Sequence, residues 1–171
     1  SKLSSLLVQD GVVSVKRMEE AFQRQVIFGG SLDTILLEMN AVDEVTLLRY
    51  LQAVSGLQPA DLTGLDLDRI KAETQIFPQR FAEKFLIIPL GMQGSTLTVL
   101  VTDPLDRGRL DELGFMLGVA VNPLIGSEFR LHHLLERLYG MKMPLRFAGL
   151  IKRLGPPPLL GGPATPGPLA S

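Results

Sequence analysis

The chain has 171 residues, enough for one ordinary domain or two small ones with a core that needs no covalent staples. It contains no cysteine, which excludes disulfides, thiolate zinc sites, iron–sulfur clusters and thiol nucleophiles. Its 17 basic and 18 acidic residues nearly cancel and neither sign gathers into a long run, so nucleic-acid binding through bulk electrostatics is disfavoured.

The chain opens SKLSSLLV, with no initiator methionine and no signal-peptide pattern, the start expected of a truncated or tagged N-terminus. From Leu6 it reads LLVQDGVVSVKRMEEAFQRQ, and from Ile35 it reads ILLEMNAVDEVTLLRYLQAV, the same apolar pattern at an offset of 29 residues. Leu7-Val8, Val13, Met18 and Phe22 recur as Leu36-Leu37, Val42, Leu47 and Leu51. Each repeat predicts a short helix, a tight turn at Gly11 or Asn40, and a longer helix. Glycine and asparagine both tolerate the left-handed backbone that such a turn demands. Ser14 and Asp43 are the expected N-caps of the longer helices, and Gly29-Gly30 and Ser55-Gly56 their ends. Val15, Met18, Phe22 and Val26 recur at spacings that put apolar groups on one helical face, as do Leu47, Leu48, Leu51 and Val54.

From Leu57 the pattern changes. Strand-like runs occur at Phe85 to Leu90, Ser95 to Val101 and Val119 to Ile125, separated by the helical stretches PQRFAEKF, PLDRGRLDELGFML and EFRLHHLLERLYG. Gly91 to Gly94 is a hairpin signal, and Asp103-Pro104 reads as a cap followed by a first-turn proline. After Gly140 comes MKMPLRFAGLIKRL, then a Pro/Gly-rich run that cannot pack a core. The fold class expected is α+β. A helical unit of two helix-turn-helix repeats spans 1–56, a small mixed α/β unit with about three strands spans 57–140, and a linker or tail spans 141–171.

Catalytic signatures are missing. GMQGST lacks the lysine of a phosphate-binding loop and sits between strands, and GxGxxG, HExxH, GxSxG and the EF-hand loop do not occur. Glu19-Glu20 and Asp111-Glu112 are adjacent on helices and diverge, as a solvated face does. His132 and His133 are adjacent too, which argues against a two-histidine metal site and for a helix surface. No apolar run reaches the roughly 20 residues of a membrane span, so direct membrane insertion is not expected. This chemistry describes a non-enzymatic domain without a metal site.

The tandem pattern resembles RLGxxLVxxGxIxxxxLxxxLxxQ, written twice in the N-terminal region of type II secretion and type IV pilus assembly ATPases, the GspE/PilB family. That region is called the MshE N-terminal domain where it binds cyclic di-GMP. In the first repeat Leu3, Leu7, Val8, Gly11, Val13 and Gln25 match, while Lys2 stands for arginine and Ser4 for glycine. The second repeat matches at Leu32, Leu36, Leu37, Val42, Leu47 and Leu51 and departs at Ser31, Asp33, Asn40 and Val54. The ordered segments DLTGLDLD, PQRFAEKF, IIPLGMQGSTLTVLVTDPLD and LLERLYG extend the similarity through Gly140.

The resemblance implies a non-catalytic docking and regulatory module, either of a type II secretion or type IV pilus assembly ATPase whose ATPase domain lies outside these residues or of a stand-alone relative. The implied partner is the cytoplasmic domain of an inner-membrane secretion or pilus platform protein, which makes the module cytoplasmic and peripheral to the inner membrane. It also implies candidate cyclic di-GMP contacts at Lys2, Leu3, Leu7, Gly11, Gln25, Leu32 and Leu36, with Lys2 as the cation, Gly11 as the close backbone approach and Gln25 as a hydrogen-bonding group. The same leucines serve equally as plain core, and periodicity does not separate the two readings. Lysine is not equivalent to arginine at a stacked or bidentate site.

Overall fold

The structure, a computed structural model, describes residues 1–102 and 107–160. Four helices form the repeats: α1 (Lys2–Gln9), α2 (Val15–Phe28), α3 (Leu32–Glu38) and α4 (Glu44–Ser55). The expected caps are present. Ser14 Oγ accepts the Arg17 N–H at 3.1 Å and Asp43 Oδ1 accepts the Thr46 N–H at 2.8 Å, each satisfying a donor that the first helical turn leaves free. At the turns, Gly11 has φ of +73° and Asn40 has φ of +54°. Their N–H groups donate to Val8 and Leu37, and the next residues, Val12 and Ala41, donate to Leu7 and Leu36. The hydrogen-bonding scheme is thus the same in both repeats, and asparagine reproduces the turn after the glycine is lost.

The repeats pack crosswise, α1 against α4 and α3 against α2. Each longer helix also reaches the C-cap of the other repeat's short helix. Arg17 of α2 donates to the Met39 carbonyl at 2.8 Å, and the Tyr50 hydroxyl of α4 donates to the Asp10 carboxylate at 2.9 Å. That carboxylate and burial push the Tyr50 phenol up to about 12, burial being the larger cause.

The rest comprises α5 (Leu67–Glu73), α6 (Gln79–Phe85), β1 (Ile88–Gln93), β2 (Thr96–Val101), α7 (Arg107–Leu117), β3 (Ala120–Ile125), α8 (Glu128–Tyr139) and α9 (Leu145–Leu154). The chain is α+β, with three strands in the order β1-β2-β3. β1 and β2 are antiparallel with a register shift between Pro89 and Gly91, and β2 and β3 are parallel from Thr96↔Ala120 to Val101↔Ile125. Beyond β3, the Ile125 N–H donates to Gln58 and the Ala60 N–H donates to Ile125, each at 2.9 Å. The buried side chains form one cluster running from Leu7, Leu36 and Leu47 through Leu97 and Ile125 to Phe129 and Leu135.

Four sequence expectations shift. The first strand begins at Ile88, because Phe85 still belongs to α6 and Leu86 ends that helix at φ of +53°. The hairpin turns at Gly94-Ser95, leaving Gly91 to Gln93 inside β1. Residues 145–154 of the expected tail form α9, because Phe147 and Leu150 find apolar cover there. The expected apolar face of α2 buries only Met18 together with Ala21, while Val15, Phe22 and Val26 remain exposed. Asp103-Pro104 and residues 161–171 lie outside the described residues.

Candidate docking and ligand site

The seven candidate contacts separate by burial. Leu7 and Leu36 have no exposed surface, and Leu3 and Leu32 are buried with them, so all four are committed to the core in this conformation. Lys2 and Gly11 are exposed at opposite ends of α1, roughly 13 Å apart along the helix axis at 1.5 Å per residue. Lys2 lines an open groove of about 530 Å³ with Ser5 and Gln9 of α1 and Ala53 and Val54 of α4. Gln25, near the end of α2, donates through Nε2 to the Gly30 carbonyl at 3.0 Å. The structure thus leaves Lys2 and Gly11 exposed and Gln25 partly so, while Leu3, Leu7, Leu32 and Leu36 lie in the core.

In the second repeat two of the four positions that depart from the family pattern, Ser31 and Asp33, belong to an internal network. The Thr34 hydroxyl donates to Glu128 Oε1 at 2.7 Å and the Ser31 N–H to the same oxygen at 3.3 Å. In return the Glu128 N–H donates to Asp33 Oδ2 at 2.9 Å, and the Ser31 hydroxyl donates to Asp33 Oδ1. Each acid therefore serves the first turn of the other's helix, α3 and α8. Where an anionic ligand would call for a cation, this repeat sets two carboxylates.

Burial is the largest influence on Asp33 and raises its carboxyl above the ordinary value of 3.8. The Ser31 hydroxyl and the Glu128 N–H pull it back, while the Glu128 charge raises it further. A folded-state value above the unfolded one means that the folded chain holds the extra proton between the two. Stability from this site is then greatest at low pH and falls as pH rises from 3.8 through the raised value. Asp33→Asn, which keeps an oxygen for the Glu128 N–H, is expected to lose less stability than the unmodified chain between about pH 4 and neutrality. Urea midpoints of both proteins at the two pH values check this, and equal losses would refute it.

Sequence reasoning missed a set of arginines that fasten α9 and the segment after it. Arg146 donates to the Phe28 and Gly29 carbonyls at 3.2 and 3.0 Å and pairs with Glu38, while Arg153 donates to the Leu37 and Glu38 carbonyls. These guanidinium groups satisfy carbonyls left over at the ends of α2 and α3 and complement their dipoles. Gly30 has φ of +90°, a backbone that favours glycine, and a side chain there would also displace the Arg146 guanidinium. Arg130 of α8 is buried against Glu44 of α4, with two bonds of 2.8 Å, and also donates to the Gly155 and Pro156 carbonyls. Neither adjacent histidine is a plain surface residue. His132 stacks on Phe147 with ring centroids 4.5 Å apart, His133 is half-buried, and burial lowers both imidazoles below 6.5. A helical-period signal existed for α9 in the spacing of Phe147, Leu150, Ile151 and Leu154, but the proline-rich run beside it dominated the composition.

Among the described residues no group of three or more His, Asp or Glu could hold a metal ion, and no helix is long and apolar enough to cross a membrane. The arrangement offers an exposed helical surface on α2. Crossed helix-turn-helix repeats on a small three-stranded sheet define a class, and residues 42–145 match the family model of the MshEN domain. The chain belongs to the MshEN domain family, the N-terminal domain of type II secretion and type IV pilus ATPases. It is 30% identical over 145 residues to the type IV pilus assembly ATPase PilB of Myxococcus xanthus, covering 84% of this chain and 25% of that relative. It is 24% identical over 125 residues to PilB of Thermus thermophilus, covering 71% of this chain and 14% of that protein. The chain therefore spans a quarter or less of these curated relatives. Among solved structures, MshE with cdg superposes with a TM-score of 0.59 at 27% identity, covering 81% of this chain and 99% of that one. The N-terminal domain of XpsE shares the fold, with a TM-score of 0.54 at 19% identity over 81% of this chain and 94% of that chain.

Proposed function

We propose that this chain is the non-catalytic docking and regulatory module of a pilus-assembly or secretion ATPase, attaching a motor to the cytoplasmic domain of an inner-membrane platform protein. The observation that carries this reading is the apolar surface left uncovered on α2, at Phe22, Val26, Ile27 and Phe28, in a chain whose residues 42–145 match the MshEN domain. In this reading residues 1–56 present the surface, 57–140 support it, and the segment beyond α9 leads toward the motor as part of the tail region 141–171. The module sits in the cytoplasm, peripheral to the inner membrane through its partner, and hydrolyses no ATP by itself. Titrating the chain against the purified platform domain tests the docking, and a phosphate-release assay on the chain alone tests the lack of turnover. A saturable complex and a background hydrolysis rate are expected.

A second reading, a cyclic di-GMP sensor, is supported by the likeness to MshE, which was solved with cdg. Lys2, Gly11 and Gln25 would then meet the ligand, with Leu3, Leu7, Leu32 and Leu36 forming the apolar support behind them. The Asp33–Glu128 pair weighs against tight binding at the second repeat, since it sets negative charge where phosphate would come. Calorimetric titration with cyclic di-GMP separates the readings. Weak or absent heat is expected from the unmodified chain, and a tight complex weakened by Lys2→Ala would favour the sensor.

A further inference from the structure

The two repeats are built alike, yet only one has its outer side covered. The second repeat uses that side to hold the rest of the chain: α3 packs on α8, α4 packs on β3, and Ser31 and Thr34 receive the first-turn carboxylate of α8 from Glu128. Moving back 29 residues, Ser31, Thr34, Glu44 and Leu51 become Lys2, Ser5, Val15 and Phe22. Glu44 and Leu51 are each only 8% exposed, whereas Val15 is 60% and Phe22 is 42% exposed, and Val26 further along the stripe is 87% exposed. Val15, Phe22 and Val26 are spaced by seven and four residues, which keeps them on one side of α2. The described residues supply the first repeat with nothing equivalent to α8 and β3.

Charge indicates what would fit. Where the second repeat meets the Glu128 carboxylate with two neutral donors, the Ser31 backbone N–H and the Thr34 hydroxyl, the first repeat adds the exposed ammonium of Lys2, which has no ion pair among the described residues. An ammonium at that place favours an acid more than a serine does. We propose that the outer side of the first repeat docks an amphipathic helix of a partner protein that carries a carboxylate in its first turn, held as the second repeat holds α8. Lys2 and Ser5 receive the acid, and Val15, Phe22 and Val26 pack against the apolar side of that helix. A helix laid into an apolar groove with spaced anchors is a recurring mode of protein recognition. This inference rests on the docking reading above and assigns the surface and the chemistry of the partner.

The test uses the whole 171-residue chain and the purified cytoplasmic domain of the platform protein, with affinity read by calorimetry. Phe22→Glu and Val26→Glu are expected to weaken binding at least tenfold, and Lys2→Glu several-fold with a loss of salt sensitivity. Phe115→Glu, on the exposed side of α7, serves as the control and is expected to bind as the unmodified chain does. Thermal melts show that each variant is folded, since every substituted side chain is exposed. If the unmodified chain binds and the folded α2 variants bind equally well, this surface is the wrong one while the docking reading stands. No binding by the unmodified chain sinks that reading and this inference with it. Should sedimentation show a dimer that Phe22→Glu returns to monomer, the occupant is a second copy of the chain, and the partner helix is overturned.

Discussion

Replacing Arg130 by alanine is expected to remove about 3–5 kcal/mol of folding stability, because it leaves the Glu44 carboxylate buried with no cation. Arg130 and Glu44 are 3% and 8% exposed, and two parallel bonds of 2.8 Å join them across 86 positions of sequence. The substitution also strips donors from the Gly155 and Pro156 carbonyls, so the start of the segment after α9 loosens together with the contact between α4 and α8. In a chain of this size such a loss corresponds to a melting temperature lower by roughly 10 °C. Most of the loss disappears when both partners change: Arg130→Met with Glu44→Leu is expected to lie within about 2 kcal/mol of the original, since no lone charge is left behind. Urea unfolding of the single and double variants checks this. A single variant as stable as the double would mean that the pair is not desolvated.

The second large effect separates ligand contact from core at positions that sequence pattern treats alike. Leu36→Ala is expected to cost about 2–5 kcal/mol, because Leu36 has no exposed surface and packs where the two repeats cross. Lys2→Ala, at an exposed position, is expected to stay within about 0.5 kcal/mol. Both residues are candidate dinucleotide contacts, but loss of Leu36 would lower any affinity through unfolding, whereas loss of Lys2 would lower it directly. Measuring unfolding and cyclic di-GMP titration on the same two variants therefore distinguishes the roles. A Leu36→Ala protein with unchanged midpoint would contradict the packing described here.

Most of the helical architecture was legible because it is locally encoded. Ser14 and Asp43 cap where their chemistry predicts, and the repeat offset foretold that Asn40 would do the work of Gly11. Less legible was anything that depends on what lies opposite. Periodicity put Val15, Phe22 and Val26 on one face but did not say that the described residues lay nothing against it. The same limit hid Arg130, Arg146 and Arg153, whose partners are carbonyls and carboxylates distant in sequence. At Phe85 an apolar run spans the end of a helix and the approach to a strand, and Leu86 divides them through a left-handed backbone that leucine rarely adopts.

The prolines of the sheet bear on how the protein behaves at high concentration. Its two outer strands contain Pro89 and Pro123, while the central strand β2 has none. A proline offers no N–H to a neighbouring chain, and at β3 the Ile125 N–H is already taken by Gln58. β1 is further kinked where its register shifts beside Pro89. Both margins are thereby poor templates for edge-to-edge growth, the usual route by which small sheets aggregate into fibrils. Copies of this domain brought to high concentration can therefore crowd against one another without polymerising through their strands.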